Sequence, residues 1–310
     1  MSAPIRPESV RPESVRPDWI AVDWGTSALR VWAMAGDRVL AETASDQGMG
    51  RLTPDAYEPA LLGLIGPWLD ADRVCPVIAA GMVGARQGWV EAPYRPVPCP
   101  PVAVGDLTPV PTQDRRIAVH ILPGLSQRAP ADVMRGEEAQ IAGVLAHFPG
   151  FSGTVCLPGT HTKWASIRDG RVHAFRTLMT GEMFDLLSTR SVLRHSLADG
   201  GTDMAAFAEG LRLAEGPDMP LHLFSLRAES LLGQTDPVAL RARLSGLLIG
   251  QELTATRPLW HGHEIVVVAS TGLEALYLAA LERSGARART LSATKATLAG
   301  LALARPTERT

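Results

Sequence analysis

The chain has 310 residues, 46% of them hydrophobic, enough for two ordinary domains or one large one with a substantial core. Thirty basic residues against thirty-two acidic ones leave a formal charge of −2, so no global field draws nucleic acid or an anionic membrane to it, and any phosphate binding has to be built locally. Cys75, Cys99 and Cys156 lie far apart with no CxxC pair, which fits neither a disulfide framework nor a zinc cluster and suits reduced thiols in a cytoplasmic protein.

The N-terminus repeats Arg-Pro-Glu-Ser-Val at 6–10 and 11–15. Its proline and charge predict a disordered tail over 1–17, and it lacks the apolar stretch of a signal peptide. No later segment offers the roughly 18 apolar residues of a membrane span. Short apolar runs at 19–22, 29–34 and 39–41, separated by Gly and Asp, predict a three-strand meander. A helix over 60–69 follows, then a buried strand over 74–80 ending in Gly81-Met-Val-Gly84. Seven prolines within 93–111 predict a loop or a sheet edge. After a strand over 119–122, Ile141, Val144, Leu145 and Phe148 fall on one helical stripe, which Pro149-Gly150 stops.

The second half begins as the first did, with strands over 155–157, 163–167 and 171–176. Gly25-Thr26 precedes Gly36, and Gly159-Thr160 precedes Gly170, by eleven residues each. Two Gly-rich hairpins in successive halves suggest duplicated halves facing each other across a cleft. A helix over 183–192, a polar loop, and a long helix bearing Leu240, Leu244, Leu247 and Leu248 come next; Gly246 and Gly250 on that helix leave room for another helix to approach. Residues 265–269 read as a buried strand, Ser270-Thr-Gly272 as a small-residue turn, and helices follow through Leu276 to Leu281 and over 296–304.

Several residues could carry chemistry. Val22-Asp-Trp-Gly-Thr-Ser27 places an acid at a strand end before a turn whose N–H groups, with the Thr26 and Ser27 hydroxyls, can meet phosphate; Asp23 could hold Mg²⁺, and Gly25 lets the main chain come close. Pro158-Gly-Thr-His-Thr-Lys163 is its counterpart, with Gly159, Thr160 and Lys163 suited to β- and γ-phosphates and His161 read as a hydrogen-bonding residue. There is no GxxxxGK[ST], so no P-loop. Met134-Arg-Gly-Glu-Glu138 puts two carboxylates at a helix start, and either Glu137 or Glu138 could accept the proton of an attacking hydroxyl. The segment from Gly81 and Met82 through Trp89 to Tyr94 offers partners for a small hydroxylated acid. His261-Gly-His263 has no third ligand and is not read as a metal pair.

Taken in order, Val22-Asp-Trp-Gly-Thr-Ser27 with Arg30 and Trp32, Ala80-Gly-Met-Val-Gly84 with Gly88-Trp89 and Pro93-Tyr94, Met134-Arg-Gly-Glu-Glu138 with Gln140, Pro158-Gly-Thr-His161 with Lys163-Trp164, Met179-Thr-Gly-Glu182, and Ser245-Gly-Leu-Leu-Ile-Gly250 resemble the 2-dehydro-3-deoxygalactonokinase family of the actin/hexokinase/Hsp70 ATPase superfamily. The resemblance runs from about Trp19 to Arg305. It implies an α/β fold of two RNase H-like lobes, 18–150 and 151–310, with the active site in the cleft between them and the last helix free to pack on the N-terminal lobe. It also implies MgATP-dependent phosphorylation of 2-dehydro-3-deoxy-D-galactonate at its 6-hydroxyl. Asp23 to Ser27 and Gly159 to Lys163 become the two phosphate hairpins, and Ala269 to Gly272 the adenosine loop. There the chain departs from the superfamily's usual pair of glycines. Arg30, Gly81, Met82, Trp89, Arg135 and Glu182 are expected to face the sugar acid. A phosphohydrolase of the same superfamily and a non-catalytic sugar-acid sensor are the rival readings. The expected partner is a small-molecule sugar acid, with neither nucleic acid nor membrane, and a homodimer is compatible with the sequence.

Overall fold

The structure, a computed structural model, describes residues 15–233 and 235–305. Strands β1 (Trp19–Trp24), β2 (Leu29–Ala35) and β3 (Arg38–Ser45) form an antiparallel meander, with Gly36 at φ +56° making the second turn. Helix α1 (Tyr57–Ile65) begins three residues before its expected start and ends at Gly66-Pro67, which tightens into a 3₁₀ turn. Then come β4 (Cys75–Gly81), the short β5 (Tyr94–Pro96) and β6 (Thr108–Val110) at sheet edges within the proline-rich stretch, and β7 (Ile117–Ile121). The first sheet runs β3-β2-β1-β4-β7-β6, with β1, β4 and β7 parallel. β8 (Gly124–Arg128) and β9 (Ala131–Met134), too short and too polar to show a strand pattern, join β5 in a separate three-stranded sheet.

Helix α2 (Glu137–His147) leads to β10 (Gly153–Leu157), β11 (Thr162–Arg168) and β12 (Arg171–Leu178), a second meander whose later turn uses Asp169 and Gly170 at positive φ. Helices α3 (Thr180–Thr189), α4 (Met204–Leu213), α5 (Met219–Leu231) and α6 (Pro237–Trp260) follow, then β13 (Ile265–Ala269), α7 (Thr271–Arg283), β14 (Ala288–Ser292) and α8 (Ala293–Ala304). The second sheet runs β12-β11-β10-β13-β14, repeating the first sheet's β3-β2-β1-β4-β7 strand for strand. The duplication expected from the two hairpins is therefore present in the topology.

Two expectations are corrected. The segment read as a polar loop contains α4 and α5. Asp203 caps α4 by accepting from the Ala205 and Ala206 N–H groups, and Gly210, which reads as a helix breaker, lies where α4 crosses α6: a Cβ there would meet the Arg243 carbonyl oxygen at 2.3 Å. Residues 15–17 of the presumed tail are packed, with Val15 buried in the first core and Arg16 paired with Asp70 at 2.8 Å; residues 1–14 lie outside the described residues. Packing crosses residue 150. Ile141 and Val144 of α2 bury against Val155, Phe175 and Val266 of the second sheet, whereas Leu301 and Ala304 of α8 bury against Trp19, Ala21 and Ile78 of the first. The two helices cross at Gly143 and Gly300, where a Cβ would fall 1.9 Å from the Ala296 oxygen and 1.8 Å from the Ala139 oxygen. Side chains there would force the helices apart. Among the described residues, no helix is long and apolar enough to cross a membrane.

Candidate active site

The ends of the central strands bring backbone and acid together. Asp23 is the register partner of Ala80, and Trp24 of Gly81. Gly81 adopts φ +99°, and a Cβ on it would lie 2.6 Å from the Trp24 oxygen. Gly136, at φ +107°, packs on it so closely that a Cβ would come within 3.3 Å of the Gly81 Cα. Helix α2 therefore starts against the end of β4, and its first two carboxylates arrive beside the strand that carries Asp23. Asp23 pairs through Oδ2 with Arg30, its register partner on β2, while 17% of its side chain stays exposed.

Glu137 and Glu138 part company. Glu138 is fully buried: Oε2 accepts from the Gly136 N–H at 2.7 Å, and Oε1 has no partner among the described residues. Burial, reinforced by the neighbouring Glu137 charge, pushes its carboxyl up to about 8. Glu137 keeps 24% of its side chain exposed, accepts from the Arg135 N–H at 3.0 Å, and stands 3.9 Å from Lys163 Nζ on β11. Burial raises its carboxyl too, opposed by Lys163 and the backbone donors. Lys163 is itself only 5% exposed, so the pair joins α2 to the second hairpin in a largely dry setting.

Both Gly-Thr turns are held by their surroundings. In the first, the Gly25 N–H donates to the Ala28 oxygen, and the Met49 and Gly50 N–H groups donate to the Gly25 and Thr26 oxygens; Thr26 and Ser27 remain exposed. Gly48, not singled out in the sequence, lies so close that a Cβ would meet the Ser27 carbonyl carbon at 2.4 Å. In the second, the Glu182 N–H donates to the Thr160 oxygen, His161 Nε2 is 2.6 Å from Glu182 Oε2, and a Cβ on Gly181 would meet the Gly159 oxygen at 2.2 Å. His161 and Glu182 thus tie the second turn to the start of α3.

Beside this second turn a cavity of about 280 Å³ opens between α3, α6 and α7. Gly159, Thr180, Ser245, Leu273 and Tyr277 line it, as does the Gly200-Gly201-Thr202 loop. Apart from Gly159, none of these was foreseen as a site residue; the small-residue run 200–202 was the available signal. Gly272 lies exposed in the first turn of α7, next to the lining residue Leu273.

The remaining candidates lie around the first sheet and the start of α2. Met82 is half-buried in the 3₁₀ turn that follows Gly81. Trp89 packs with Trp24 and Tyr57, its ring stacked on Tyr57 at 6.1 Å. Arg135 is 9% exposed; its Nη2 donates to the Ala92 oxygen at 2.7 Å and its guanidinium lies 4.3 Å from the Tyr94 ring. Arg30 reaches outward from the Asp23 pair, 41% exposed.

A family model described as 2-keto-3-deoxy-galactonokinase matches residues 23–304. A Rhizobium meliloti (strain 1021) protein named "Probable 2-dehydro-3-deoxygalactonokinase DgoK1" is 42% identical over 90% of this chain and 94% of its own. The 2-dehydro-3-deoxygalactonokinase of Escherichia coli (strain K12) is 36% identical over 89% and 94%. A crystal structure described as that of "a putative 2-dehydro-3-deoxygalactonokinase protein from Sinorhizobium meliloti" superposes with a TM-score of 0.85 at 41% identity, covering 92% of this chain and 95% of that one. The paired meander-headed sheets are those of the actin/hexokinase ATPase fold expected above. On this likeness and this topology, the chain belongs to the 2-keto-3-deoxy-galactonokinase family.

Proposed function

We propose that the protein transfers the γ-phosphoryl group of ATP to the 6-hydroxyl of 2-dehydro-3-deoxy-D-galactonate in the cytoplasm, a step of galactonate breakdown. The observation that carries the reading is the apposition of Glu137 and Lys163, a carboxylate of raised proton affinity facing a cation on a phosphate-type hairpin, beside a cavity sized for a nucleoside. Glu137 takes the hydroxyl proton as the oxygen attacks phosphorus, the bond from phosphorus to the bridging oxygen breaks, and ADP leaves. Lys163 offsets the charge that moves onto the phosphoryl oxygens. Gly25 to Ser27 and Gly159 to Thr160 supply the phosphate-binding backbone and hydroxyls, with Gly272 near the adenosine.

Asp23 fits a Mg²⁺ ligand, since one carboxylate oxygen is taken by Arg30 and the other accepts no protein hydrogen bond among the described residues. Such an ion supplies charge neutralisation on the transferred phosphate. Gly81, Met82, Trp89 and Arg30 bound the sugar-acid side, with Arg135 and Glu182 bracing the walls. The lobes of this reading, 18–150 and 151–310 in chain order, exchange α2 and α8, and their crossing is where closure would bend the molecule and exclude water.

A coupled ADP-release assay over a panel of 2-keto-3-deoxy acids tests the function. Turnover confined to the galacto acid, or shared with its gluco epimer, fits it. ATP hydrolysis without any acid would favour a phosphohydrolase, and acid binding without turnover a sensor. We also propose a homodimer through α5. Leu221, Phe224 and Leu231 on it and Leu232 just after it are 64–70% exposed, while the helix's Arg227 and Glu229 turn inward to Ser196 and Arg243. That leaves an uncharged face able to pack on its own copy.

A further inference from the structure

Glu252, on the inner side of α6, is 1% exposed and takes no part in the steps above. A carboxylate there needs donors, and three side chains converge on it. Trp164 Nε1 donates to Oε1 at 2.8 Å, the Tyr277 hydroxyl donates to Oε2 at 3.0 Å, and the Thr180 hydroxyl donates to that same oxygen. Tyr277 in turn has Thr162 Oγ1 at 3.1 Å. An indole N–H can only donate and a carboxylate can only accept, so Glu252 fixes the direction of the whole set: the Tyr277 and Thr180 protons point at it, and Thr162 donates to Tyr277.

These donors come from the parts that shape the cavity. Thr162 and Trp164 lie on β11, the strand that leaves the Gly159-Thr160 turn and carries Lys163. Thr180 opens α3, whose next two residues hold that turn, and Tyr277 belongs to α7. Thr180 and Tyr277 both line the cavity. If the only task were to tie four elements together, an apolar side chain of similar volume would do it as well or better, because burying a charge is costly. Burial does push the Glu252 carboxyl up, yet the site spends three donors on it.

We propose that Glu252 is a positioning residue for the nucleotide: it aligns the second hairpin, the start of α3 and α7 around the cavity, and by drawing in the Thr180 proton it leaves that oxygen as an acceptor for a donor on the ligand, such as a ribose hydroxyl. This rests on the reading of the cavity as the nucleotide site. Glu252→Gln keeps the shape but turns an N–H toward Thr180 and Tyr277. Tyr277→Phe removes one bond and keeps the ring in the cavity wall, which preserves the test should the first variant fold poorly.

The experiment is isothermal titration of both variants with a non-hydrolysable ATP analogue, alongside the KM for the sugar acid at saturating ATP and the melting temperature. The expected result is a loss of analogue affinity of about tenfold for E252Q and about threefold for Y277F, with the sugar-acid KM within about twofold of wild type. Wild-type analogue affinity in folded E252Q or Y277F overturns the proposal. So does a rise in both ligands' constants that tracks a fall in melting temperature, because that describes core damage alone. Ser245→Phe, which fills the cavity, separates the two levels of inference. If it abolishes analogue binding while E252Q and Y277F bind normally, only the role of Glu252 falls; if it leaves binding unchanged, the nucleotide site lies elsewhere and both fall.

Discussion

Substituting the two carboxylates at the start of α2 by glutamine should separate catalysis from stability. Glu138 is sealed in the protein with its carboxyl raised to about 8 from an ordinary 4.5, first by burial and then by Glu137. Below about pH 4.5 the folded and unfolded chains both hold this proton. As pH rises toward 8 the unfolded chain releases it while the folded one keeps it, so stability falls through that window and levels off above it. A difference of that size corresponds to at most about 5 kcal/mol. Glu138→Gln retains an acceptor for the Gly136 N–H and removes the titration. Its melting temperature should match wild type near pH 5 and exceed it increasingly up to pH 8.5, with kcat largely kept. Glu137→Gln should do the opposite, losing about 10²- to 10⁴-fold in kcat with little change in melting temperature. Thermal melts across pH, paired with ADP-release kinetics, measure both. A pH-independent difference between E138Q and wild type would refute the buried-acid account, and wild-type kcat in E137Q would remove Glu137 as the base.

Lys163→Met should lower kcat and move the acid limb of the pH–rate profile upward, because the ammonium opposes proton retention by Glu137; an effect limited to the sugar-acid KM would put this lysine on the wrong ligand. Asp23→Asn should weaken the apparent affinity for Mg²⁺ and depress turnover, and near-normal activity at saturating Mg²⁺ would take Asp23 out of the mechanism. Gly181→Ala should gain about 1 kcal/mol from helix propensity alone, but its Cβ would fall 2.2 Å from the Gly159 oxygen, so a lower melting temperature and a raised ATP KM are expected. Phe224→Lys should convert a dimer to a monomer in light scattering without loss of kcat, and a wild-type protein that is monomeric at all concentrations would dispose of the α5 interface.

What could be read without the structure followed from local rules. The paired hairpins showed because each needs glycine at a fixed distance, and Gly36 and Gly170 do take positive φ. The α2 stripe and the approach glycines of α6 showed because helical spacing records which face is buried. α4 and α5 were missed for a related reason: Gly210 looks like a breaker to propensity and is instead the contact with Gly246. Propensity weighs one residue at a time, whereas a helix crossing is decided by two.

The same limit explains the acids. Glu137 and Glu138 are adjacent at a helix start and equivalent to any sequence rule, yet one side chain turns toward Lys163 and the other into the core, a choice made by where Gly136 meets Gly81. Glu252 was in principle legible. It stands four residues beyond Leu248 and eight beyond Leu244, in line with the apolar row of α6, where an acid has no place unless donors wait for it. Those donors lie on β11, α3 and α7, tens of residues away in sequence, so the anomaly could be seen before its cause. An acid that interrupts the buried row of a long helix thus marks where distant segments converge, and in this fold they converge beside the Gly159-Thr160 turn and the strand that carries Lys163.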